Sequence, residues 1–432
     1  MRTTDNNCGK PLSDIANGKY YDIADLKAIA NIKISELPDD FLIFPDKLGK
    51  YNDDIEKSTA FSLNENILTT NNILGFVGRN KTQLTISSRF AKSDGNDYFL
   101  HYMLQKVFAI NIFKFDQTKQ KENIWDFLLY LFPYYLKKAY AQGLFKAYRR
   151  EQYNDANVKG TIDIARHIRI NIHFAGKIAY NTREHNYDNP ITQLVRHTIE
   201  YIKLHSFGSG VLNCDSETRD IISKICFVTN ANYNKNERQK VINSNLKPIS
   251  HPYFTEYKML QKICLQILRR EKITFGHEKD KIYGLLFDGA WLWEEYLNTI
   301  LNQYGFTHAE NKTGKKRIQL FTDNYSYPRY PDFYKENFVL DAKYKNLTTS
   351  VEREDIHQII SYMYVRKAKL GGFVFPTKDK KANCESIGTL YGYRGRISLW
   401  NINIPQNKTT FENFTNEMKT QEQRTISILT KT

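Results

Sequence analysis

The sequence predicts an α+β protein of several domains, and three observations lead to this prediction. The chain has 432 residues, enough for two or three domains of roughly 150 residues each. Hydrophobic residues make up 41% of the chain and aromatic residues 14%, which excludes a disordered protein. Strand-like segments come first, helical periodicity follows, and helices and strands alternate towards the end. We therefore expect a β-rich amino-terminal domain (1–115), a mostly helical middle domain (116–250), an α/β domain (251–405) and a polar tail (406–432).

The amino-terminal domain is predicted from short apolar segments that Asn, Asp and Gly residues separate. FLIF at 41–44, ILGFVG at 73–78 and QLTISSRF at 83–90 are rich in β-branched and aromatic residues, as strands are. A helix should follow over DYFLHYMLQKVFAI at 97–110.

The middle domain is predicted from segments with helical periodicity. Residues 124–150 follow a helical pattern that Pro133 should interrupt, and the passage 158–168 resembles a strand. A helix should begin near 190, because Asp188 or Asn189 suits the capping position and Pro190 suits the first helical position. Further helices are expected over 217–227 and 255–270.

The α/β domain is predicted from an alternation that begins near Tyr283. A helix over 290–302 should precede the strands RIQLF, YPDFY and NFVLDAKY, and a helix over 353–367 should precede the strands GGFVF and RISLWNI. The segment 406–432 is rich in Thr, Asn and Gln, so we expect a loosely held tail.

The candidate site lies in YPDFYKENFVLDAKYK. YPDFY and NFVLDAKY flank a predicted turn, and the resulting hairpin would bring Asp332 beside Asp341. Side chains alternate along a strand, so Asp341 and Lys343 should share one face. Paired carboxylates suit Mg²⁺, whose bound water can attack phosphorus. Lys343 would orient that water or help to deprotonate it, and would offset the charge that develops in the transition state. The predicted reaction is phosphodiester hydrolysis.

Two helices add polar side chains to this site. Glu294 has Ala290, Trp291 and Leu297 as its helical neighbours, so it should lie nearer the inward face than Glu295 does. Gln358 and Tyr362 are four residues apart and should share a stripe with Asp355. In the alternative interpretation, Asp341 and Lys343 are solvated residues on an exposed strand face, and Gln358 and Tyr362 are ordinary polar residues of a helix surface.

The net charge of +15 has two competing explanations. Lys and Arg in excess favour a polyanionic partner such as nucleic acid, and they also favour solubility without any partner. No run approaches the ~18 apolar residues of a membrane span, and the first residues lack a signal-peptide pattern. We therefore expect a soluble cytoplasmic protein without membrane association. The five cysteines have no spacing typical of zinc or disulfide sites.

The motifs GAWLWEEYL, YPDFY, VLDAKYK and HQIISY together resemble the PD-(D/E)XK nuclease domain of the McrC family and related LlaJI-type restriction subunits. GFVGRNKTQLTISSRF resembles the family's amino-terminal region, and VKGTIDIARHI with EHNYDNPITQLVRHTIEYI resembles its middle region. The resemblance implies a restriction-endonuclease-like fold for the third domain and places the metal-binding carboxylates at Asp332 and Asp341. It places the catalytic lysine at Lys343 and the helix acid at Glu294, where Trp293 replaces the usual Phe.

The same resemblance implies the cofactor and the partners. Gln358 and Tyr362 match a QxxxY helix that would support the substrate phosphate or the lysine, and the cofactor would be Mg²⁺, with Mn²⁺ as a possible substitute. Double-stranded DNA would be the substrate, a McrB-like AAA+ GTPase ring the partner, and a homodimer of nuclease domains would cut both strands. Two alternatives stay open: an adaptor that clamps DNA without cutting it and activates the GTPase, and a stand-alone Mg²⁺-dependent nuclease.

Overall fold

The computed structural model describes residues 1–16, 21–37, 41–45, 59–80, 82–91, 97–108, 124–205, 208–274, 282–309, 317–347, 350–379, 383–408 and 410–431. It is a mixed α/β structure with several sheets. Contacts divide the chain into a larger unit, Met1–Ile124 with Lys272–Thr432, and a smaller unit, Trp125–Glu271. Within the described residues, no helix has the length and apolar character needed to span a membrane.

The amino-terminal stretch of the larger unit is rich in strands, as predicted. Its elements are β1 (Arg2–Thr4), β2 (Lys10–Pro11), α1 (Leu12–Ala16), α2 (Ile23–Ile29), β3 (Leu42–Phe44), β4 (Phe61–Asn64), β5 (Ile67–Thr70), β6 (Ile73–Arg79), β7 (Thr82–Ser87) and α3 (Tyr98–Val107), with a 3₁₀ turn at Ile34–Glu36. β3, β6, β7 and α3 fall on the predicted segments, and the last two residues of the predicted helix lie outside the described residues.

The smaller unit combines helices with an antiparallel sheet of order β8-β10-β9. Its elements are α4 (Ile124–Tyr140), β8 (Ala147–Asp155), β9 (Thr161–Ile162), α5 (Ile164–Ile170), β10 (Ile178–Asn186), α6 (Pro190–Lys203), α7 (Gly208–Leu212), α8 (Ser216–Thr229), α9 (Arg238–Ser244) and α10 (Tyr257–Thr274), with a 3₁₀ turn at Lys235–Glu237. The predicted start of α6 is confirmed, because the Asn189 side chain accepts hydrogen bonds from the amides of Ile191 and Thr192.

Two predictions for this unit are wrong. Pro133 does not interrupt α4, where buried side chains on both sides of it, from Leu128 to Leu136, stabilise a continuous helix. The passage 158–168 contains only the short β9 and then turns into α5, because Asp163 caps this helix through the amide of Arg166.

The carboxy-terminal stretch of the larger unit alternates strands and helices. Its elements are β11 (Ile282–Asp288), α11 (Gly289–Leu301), β12 (Thr307–His308), β13 (Ile318–Gln319), β14 (Pro328–Arg329), β15 (Phe333–Lys335), β16 (Phe338–Ala342), α12 (Arg353–Arg366), β17 (Leu370–Thr377), β18 (Cys384–Thr389), β19 (Arg396–Asn403) and α13 (Phe411–Lys431), with a 3₁₀ turn at Asn302–Tyr304. Six strands form a sheet of order β12-β15-β16-β17-β19-β18, in which β16, β17 and β19 run parallel.

The parallel pair β16 and β17 is connected through α12, which packs its apolar side on the sheet. Ile359 and Met363 of this helix are fully buried together with Val339 of β16 and Phe373 of β17. The polar side of α12 can therefore face the carboxyl end of β16, where parallel α/β units place their functional residues.

A second sheet crosses the predicted domain boundary between 1–115 and 251–405. Its order is β1-β7-β6-β11-β3, and β11 pairs with β6 over seven residues. Gly75 of β6 permits this pairing, since it has φ of 125° and a Cβ there would lie 2.0 Å from the Leu285 carbonyl oxygen. The amino-terminal strands are thus part of the larger unit, because their sheet is completed by a strand more than two hundred residues later.

The prediction of a loosely held tail at 406–432 is also wrong, since Phe411–Lys431 forms α13. Phe414, Met418, Ile426 and Leu429 of this helix are buried. Their spacing follows the helical period, but the Thr, Asn and Gln residues between them hide the apolar stripe from a reading of composition.

Candidate active site

The hairpin of β15 and β16 brings the two predicted carboxylates together. Phe333 pairs with Leu340, so Asp332 before β15 lies opposite Asp341 of β16, and the turn falls at Glu336 and Asn337. The Ala342 amide donates a hydrogen bond of 2.6 Å to Oδ2 of Asp332. The register of the hairpin therefore sets the relative position of both carboxylates.

Lys343 follows β16 directly and is held by three side chains. Its ammonium lies 2.7 Å from Oδ2 of Asp341, 2.9 Å from Oδ1 of Asp355 and 3.4 Å from Oε1 of Gln358. Asp341 is only 3% exposed, and the side chain of Lys343 is 19% exposed. The alternative of a solvated strand face is therefore wrong.

The polar stripe of α12 forms one wall of this site. Asp355, Gln358 and Tyr362 share it as predicted, and the Gln358 amide donates a hydrogen bond of 2.7 Å to the Tyr362 hydroxyl. Asp355 also forms an ion pair with Lys345, whose ammonium lies 2.9 Å from Oδ2 of Asp355. The sequence predicts the position of Asp355 on this stripe but does not predict its contact with Lys343.

Glu294 of α11 faces the same site. The Asp288 side chain caps α11 through the Ala290 amide, and Glu294, one turn further along, is partly buried. Trp293 beside it is fully buried, and its indole N–H donates a hydrogen bond of 3.3 Å to the Val374 carbonyl. The Lys343 amide donates to this same carbonyl at 2.9 Å, so one backbone group of β17 fixes both the helix and the lysine.

His308 is a neighbour of Asp332 that sequence reasoning missed. Its Nδ1 lies 2.8 Å from the Asp332 carbonyl oxygen, and its Nε2 lies 3.8 Å from Oε1 of Glu295. Burial lowers the pKa of His308, but hydrogen bonds to Glu295 and to the Asp332 backbone outweigh it and raise the pKa above its usual value. Glu295 thus acts on this histidine rather than on the carboxylate pair.

The six predicted residues line one cleft with a volume of about 560 Å³. Asn6, Asn72 and Arg89 of the amino-terminal stretch line it too. No local pattern marks these three residues as part of the site, since they approach it only through the sheet that joins distant segments.

The two carboxyl groups of Asp332 and Asp341 are buried close together in the cleft. Burial, and next the nearby carboxylate of Asp341, raise the pKa of Asp332 to about 8, against the hydrogen bond from Ala342 and the charge of Lys343. Burial raises the pKa of Asp341 as well, although Lys343 opposes this. A carboxylate pair with raised pKa values holds a proton near neutral pH, and a cation that replaces this proton would stabilise both charges.

Lys343 and Asp355 are charged in this environment. Burial disfavours the ammonium of Lys343, but the charges of Asp341 and Asp355 prevail and hold its pKa above the usual range. Burial likewise disfavours the Asp355 carboxylate, but hydrogen bonds from Lys343 and Lys345 keep its pKa low. The lysine therefore stays protonated at neutral pH.

The donor set fits a metal that takes few protein ligands. Among the residues that the structure describes, no group of three or more His, Cys, Asp or Glu side chains is arranged to hold a metal ion. Asp332 and Asp341 alone form the carboxylate pair, while Glu294 lines the cleft. Mg²⁺ commonly uses one or two carboxylates and keeps several waters, so the pair fits this ion.

The chain matches the model of a known protein family. The family model for the McrBC 5-methylcytosine restriction system component matches residues 68–376, which include all six predicted site residues. A comparison with curated proteins gave no match.

Two solved structures are similar to the chain. A half-complex from the tetradecameric assembly of Thermococcus gammatolerans McrB AAA+ hexamers with bound McrC has a TM-score of 0.53 and 14% identity, covering 97% of this chain and 99% of that chain. The cryo-EM structure of the T. gammatolerans McrBC complex has a TM-score of 0.35 and 14% identity, covering 72% and 89%. The first likeness shows a shared fold over nearly the whole chain.

Proposed function

This chain belongs to the family of McrBC 5-methylcytosine restriction system components, and we propose that it is an McrC-type nuclease subunit that cuts double-stranded DNA with Mg²⁺. One observation carries the proposal: Asp332, Asp341 and Lys343 converge at the end of one hairpin. A third acid, the buried Asp355, forms a further ion pair with the lysine. Paired carboxylates can hold a metal that activates water, and a lysine beside them can stabilise charge at phosphorus, so this arrangement suits metal-assisted hydrolysis of a phosphodiester.

We assign the PD-(D/E)XK arrangement to the six-stranded sheet with α11 and α12. The motif residues are Asp332, Asp341 and Lys343. In the QxxxY pair of α12, Gln358 accepts a hydrogen bond from the lysine and donates one to the Tyr362 hydroxyl. Glu294 reaches the cleft from the helix that precedes the sheet. The proposed nuclease function therefore lies in the carboxy-terminal stretch of the larger unit.

The metal would be held by Asp332 and Asp341, with Glu294 as the further carboxylate facing the cleft. When bound, Mg²⁺ supplies positive charge to the scissile phosphate and acidifies water, and Mn²⁺ could replace it. Without the metal, the carboxyl groups of Asp332 and Asp341 hold a proton, because their pKa values are raised. Binding of the metal would release this proton.

Lys343 acts on the attacking water and on the charge that develops at phosphorus. The water oxygen forms a bond to phosphorus and gives up a proton to solvent, while the bond between phosphorus and the leaving sugar oxygen breaks and this oxygen takes up a proton from solvent. Lys343, protonated and fixed by Asp341 and Asp355, can hold the water by a hydrogen bond and stabilise the added negative charge. Gln358 and Tyr362 limit the movement of the lysine on its remaining side.

The proposed partners are DNA, an AAA+ GTPase ring of McrB type and a second nuclease domain. The net charge of +15 suits a polyanion, and the structure with the TM-score of 0.53 is described as McrB AAA+ hexamers with bound McrC. A homodimer of nuclease domains would place one active site on each DNA strand. The protein would act in the cytoplasm, where foreign DNA is met.

The experiment combines the purified chain with its AAA+ partner, GTP, Mg²⁺ and plasmid DNA. We expect cutting by the native chain, and loss of cutting with retained GTPase stimulation for Asp341→Asn. Glu354→Gln, an exposed acid of α12, is the matched control and should cut normally.

Each other outcome contradicts a part of the proposal. Cutting by Asp341→Asn would mean that the site is wrong. GTPase stimulation by a native chain that never cuts would favour the DNA-clamping adaptor. Strong cutting without partner and GTP would favour a stand-alone nuclease.

A further inference from the structure

A second groove, of about 870 Å³, lies next to the candidate active site on the nuclease-like part of the chain. One wall is formed by Gln319 of β13 and the segment that follows it, and the other by the end of α12, the link from α12 to β17, and Tyr393. The side chains that matter for its chemistry are Phe321, Tyr325, Tyr364, Tyr393, Lys367 and Lys369.

Four aromatic rings in this groove are exposed to solvent. Tyr364 is 72% exposed and Tyr325 is 67% exposed, while Phe321 and Tyr393 are exposed to a smaller degree. Solvent-exposed aromatic rings that line one concave surface are unusual in a folded domain and mark interaction sites. Their flat faces are available for stacking.

Two of the rings are held in place by their own neighbours. The Tyr393 hydroxyl donates a hydrogen bond of 3.0 Å to the Met363 carbonyl of α12. Phe321 packs edge to face with Tyr327, with ring centroids 5.8 Å apart. These two ordered rings fix part of the groove that Tyr325 and Tyr364 also line, so fewer side chains have to be ordered when a ligand binds there.

The charge of the groove is positive. Lys367 and Lys369 line it, and no acidic side chain lines it among the residues that the structure describes. Beside the groove, the guanidinium of Arg366 stacks on the ring of Tyr334 at 4.4 Å. Exposed aromatic rings together with lysines are typical of surfaces that bind unpaired nucleotides, whose bases stack and whose phosphates carry negative charge.

The groove adjoins the candidate active site, because Gln319 of the groove pairs with Pro328 of the cleft across β13 and β14. On α12, Gln358 and Tyr362 line the catalytic cleft and Tyr364 lines the groove. In the other wall, Arg329 and Tyr330 line the cleft, while the earlier residues of the same segment line the groove. From Gln358 to Lys367 the helix rises by about 13 Å, a distance of a few nucleotides.

We infer that this groove binds a short stretch of unpaired DNA, with bases stacked on Tyr325 and Tyr364 and phosphates paired with Lys367 and Lys369. The inference rests on the proposed function in taking DNA as the ligand. The strand would leave or enter the catalytic cleft along α12, so the groove would hold DNA that is locally opened or already cut.

The test measures binding of a fluorescent oligodeoxythymidine to the full chain, with a chelator present to prevent cutting. The double variant Tyr325→Ala and Tyr364→Ala should bind at least about 25-fold more weakly, since each lost stacking contact costs about fivefold or more. Tyr325→Phe with Tyr364→Phe keeps both rings and should bind as the native chain does. Tyr391→Ala removes a fully exposed tyrosine outside the groove and should also leave binding unchanged.

Three results would overturn the inference. Equal affinity of the native chain and the double alanine variant would exclude the groove as the strand site. Equal weakening by Tyr391→Ala would mean that any exposed tyrosine contributes. Loss of a dimer in the double alanine variant, with strand binding intact, would identify the groove as a contact with a second copy of the chain.

The result of the strand-binding test does not depend on whether Asp341 is a catalytic residue. Asp341→Asn should bind the oligonucleotide normally, because its substitution lies in the cleft and not in the groove. If that variant still cuts plasmid DNA, the proposed site fails while strand binding in the groove stands. If it stops cutting and the groove variants bind normally, only the groove inference fails.

Discussion

The hydroxyl of Tyr344 lies 2.7 Å from the hydroxyl of Ser88, although 256 positions separate the two residues in the chain. Tyr344 directly follows Lys343, and Ser88 directly follows β7. The ring of Tyr344 also packs against Phe90, with centroids 5.2 Å apart, and lies 5.1 Å from the guanidinium of Arg89. The amino-terminal sheet therefore holds the residue next to the candidate catalytic lysine.

We expect Tyr344→Phe to lower the free energy of unfolding by about 1 kcal/mol, because a buried hydroxyl loses its partner while the ring stays in place. Urea denaturation of the native chain and the variant measures this difference. Tyr391→Phe removes a hydroxyl from a fully exposed tyrosine and should leave the stability unchanged. If the two variants are equally stable, the Ser88 contact does not anchor the site.

The part of the site that could be predicted is the part built from neighbouring residues. A strand period of two and a helix period of 3.6 sufficed to place Asp341 and Lys343 together and to align Gln358 with Tyr362. The hairpin then needed only a turn at Glu336 and Asn337 to bring in Asp332. These relationships depend on local geometry, which a single sequence records.

The contributions of Asn72, Arg89 and β11 could not be predicted, because they depend on pairing between distant strands. Arg89 forms an ion pair of 2.6 Å with the buried Asp5 and also donates a hydrogen bond to Asn72. β11 completes a sheet that begins with residues 2–4. The composition of these segments does not indicate whether a strand pairs with its neighbour in the chain or with a strand two hundred residues away.

We expect Asp355→Asn to slow DNA cutting by about tenfold, because Asp355 positions Lys343 without touching the reacting atoms. The pKa of Lys343 is held above its usual value by Asp341 and Asp355, so removing one of these charges lowers it. The alkaline limb of the pH–rate profile should therefore move to lower pH. Rate measurements over a pH series detect both changes.

The control for Asp355→Asn is Glu354→Gln in the same turn of α12. Glu354 is exposed, so its substitution should change neither the rate nor the pH profile. A uniform rate loss in Asp355→Asn, with an unchanged alkaline limb, would mean that the aspartate supports the fold only.

We expect Asp332→Asn to stabilise the metal-free protein at about pH 8. In the folded chain the pKa of Asp332 is about 8, whereas its ordinary value is 3.8. Between these values the folded state binds a proton that the unfolded state has lost, so stability falls as pH rises. Asn is neutral and can still accept the hydrogen bond from Ala342, which removes this dependence.

Melting temperatures measured in a chelator between about pH 5 and about pH 9 check this prediction, since the advantage of the variant should grow with pH through this window. Added Mg²⁺ should raise the melting temperature of the native chain at the upper end and leave Asp332→Asn unchanged. Glu336→Gln in the exposed hairpin turn should follow the native curve. If the variant is less stable than the native chain at every pH, the ionised carboxylate of Asp332 does not destabilise the folded protein.

The last helix, α13, is fixed to the elements that carry the site by one buried carboxylate. Oε1 of Glu422 accepts hydrogen bonds from the hydroxyls of Tyr102, at 2.7 Å, and of Tyr296, at 2.8 Å, and Oε2 lies 3.1 Å from the Lys106 ammonium. Tyr296 lies on α11, two residues after Glu294. Removing the carboxylate would leave two buried hydroxyls and an ammonium without this acceptor.

We expect Glu422→Ala to lower the free energy of local opening of α13 by about 3 kcal/mol, since three partners lose a buried anionic acceptor. Hydrogen exchange of the α13 amides measures this energy directly. Glu422→Gln keeps one acceptor oxygen and should lower this opening free energy less than Glu422→Ala does. Glu412→Ala, in the exposed first turn of α13, should change the opening free energy little. Similar exchange in Glu412→Ala and Glu422→Ala would mean that α13 is held by its apolar stripe alone, and the buried carboxylate would then have no role in joining this helix to α11.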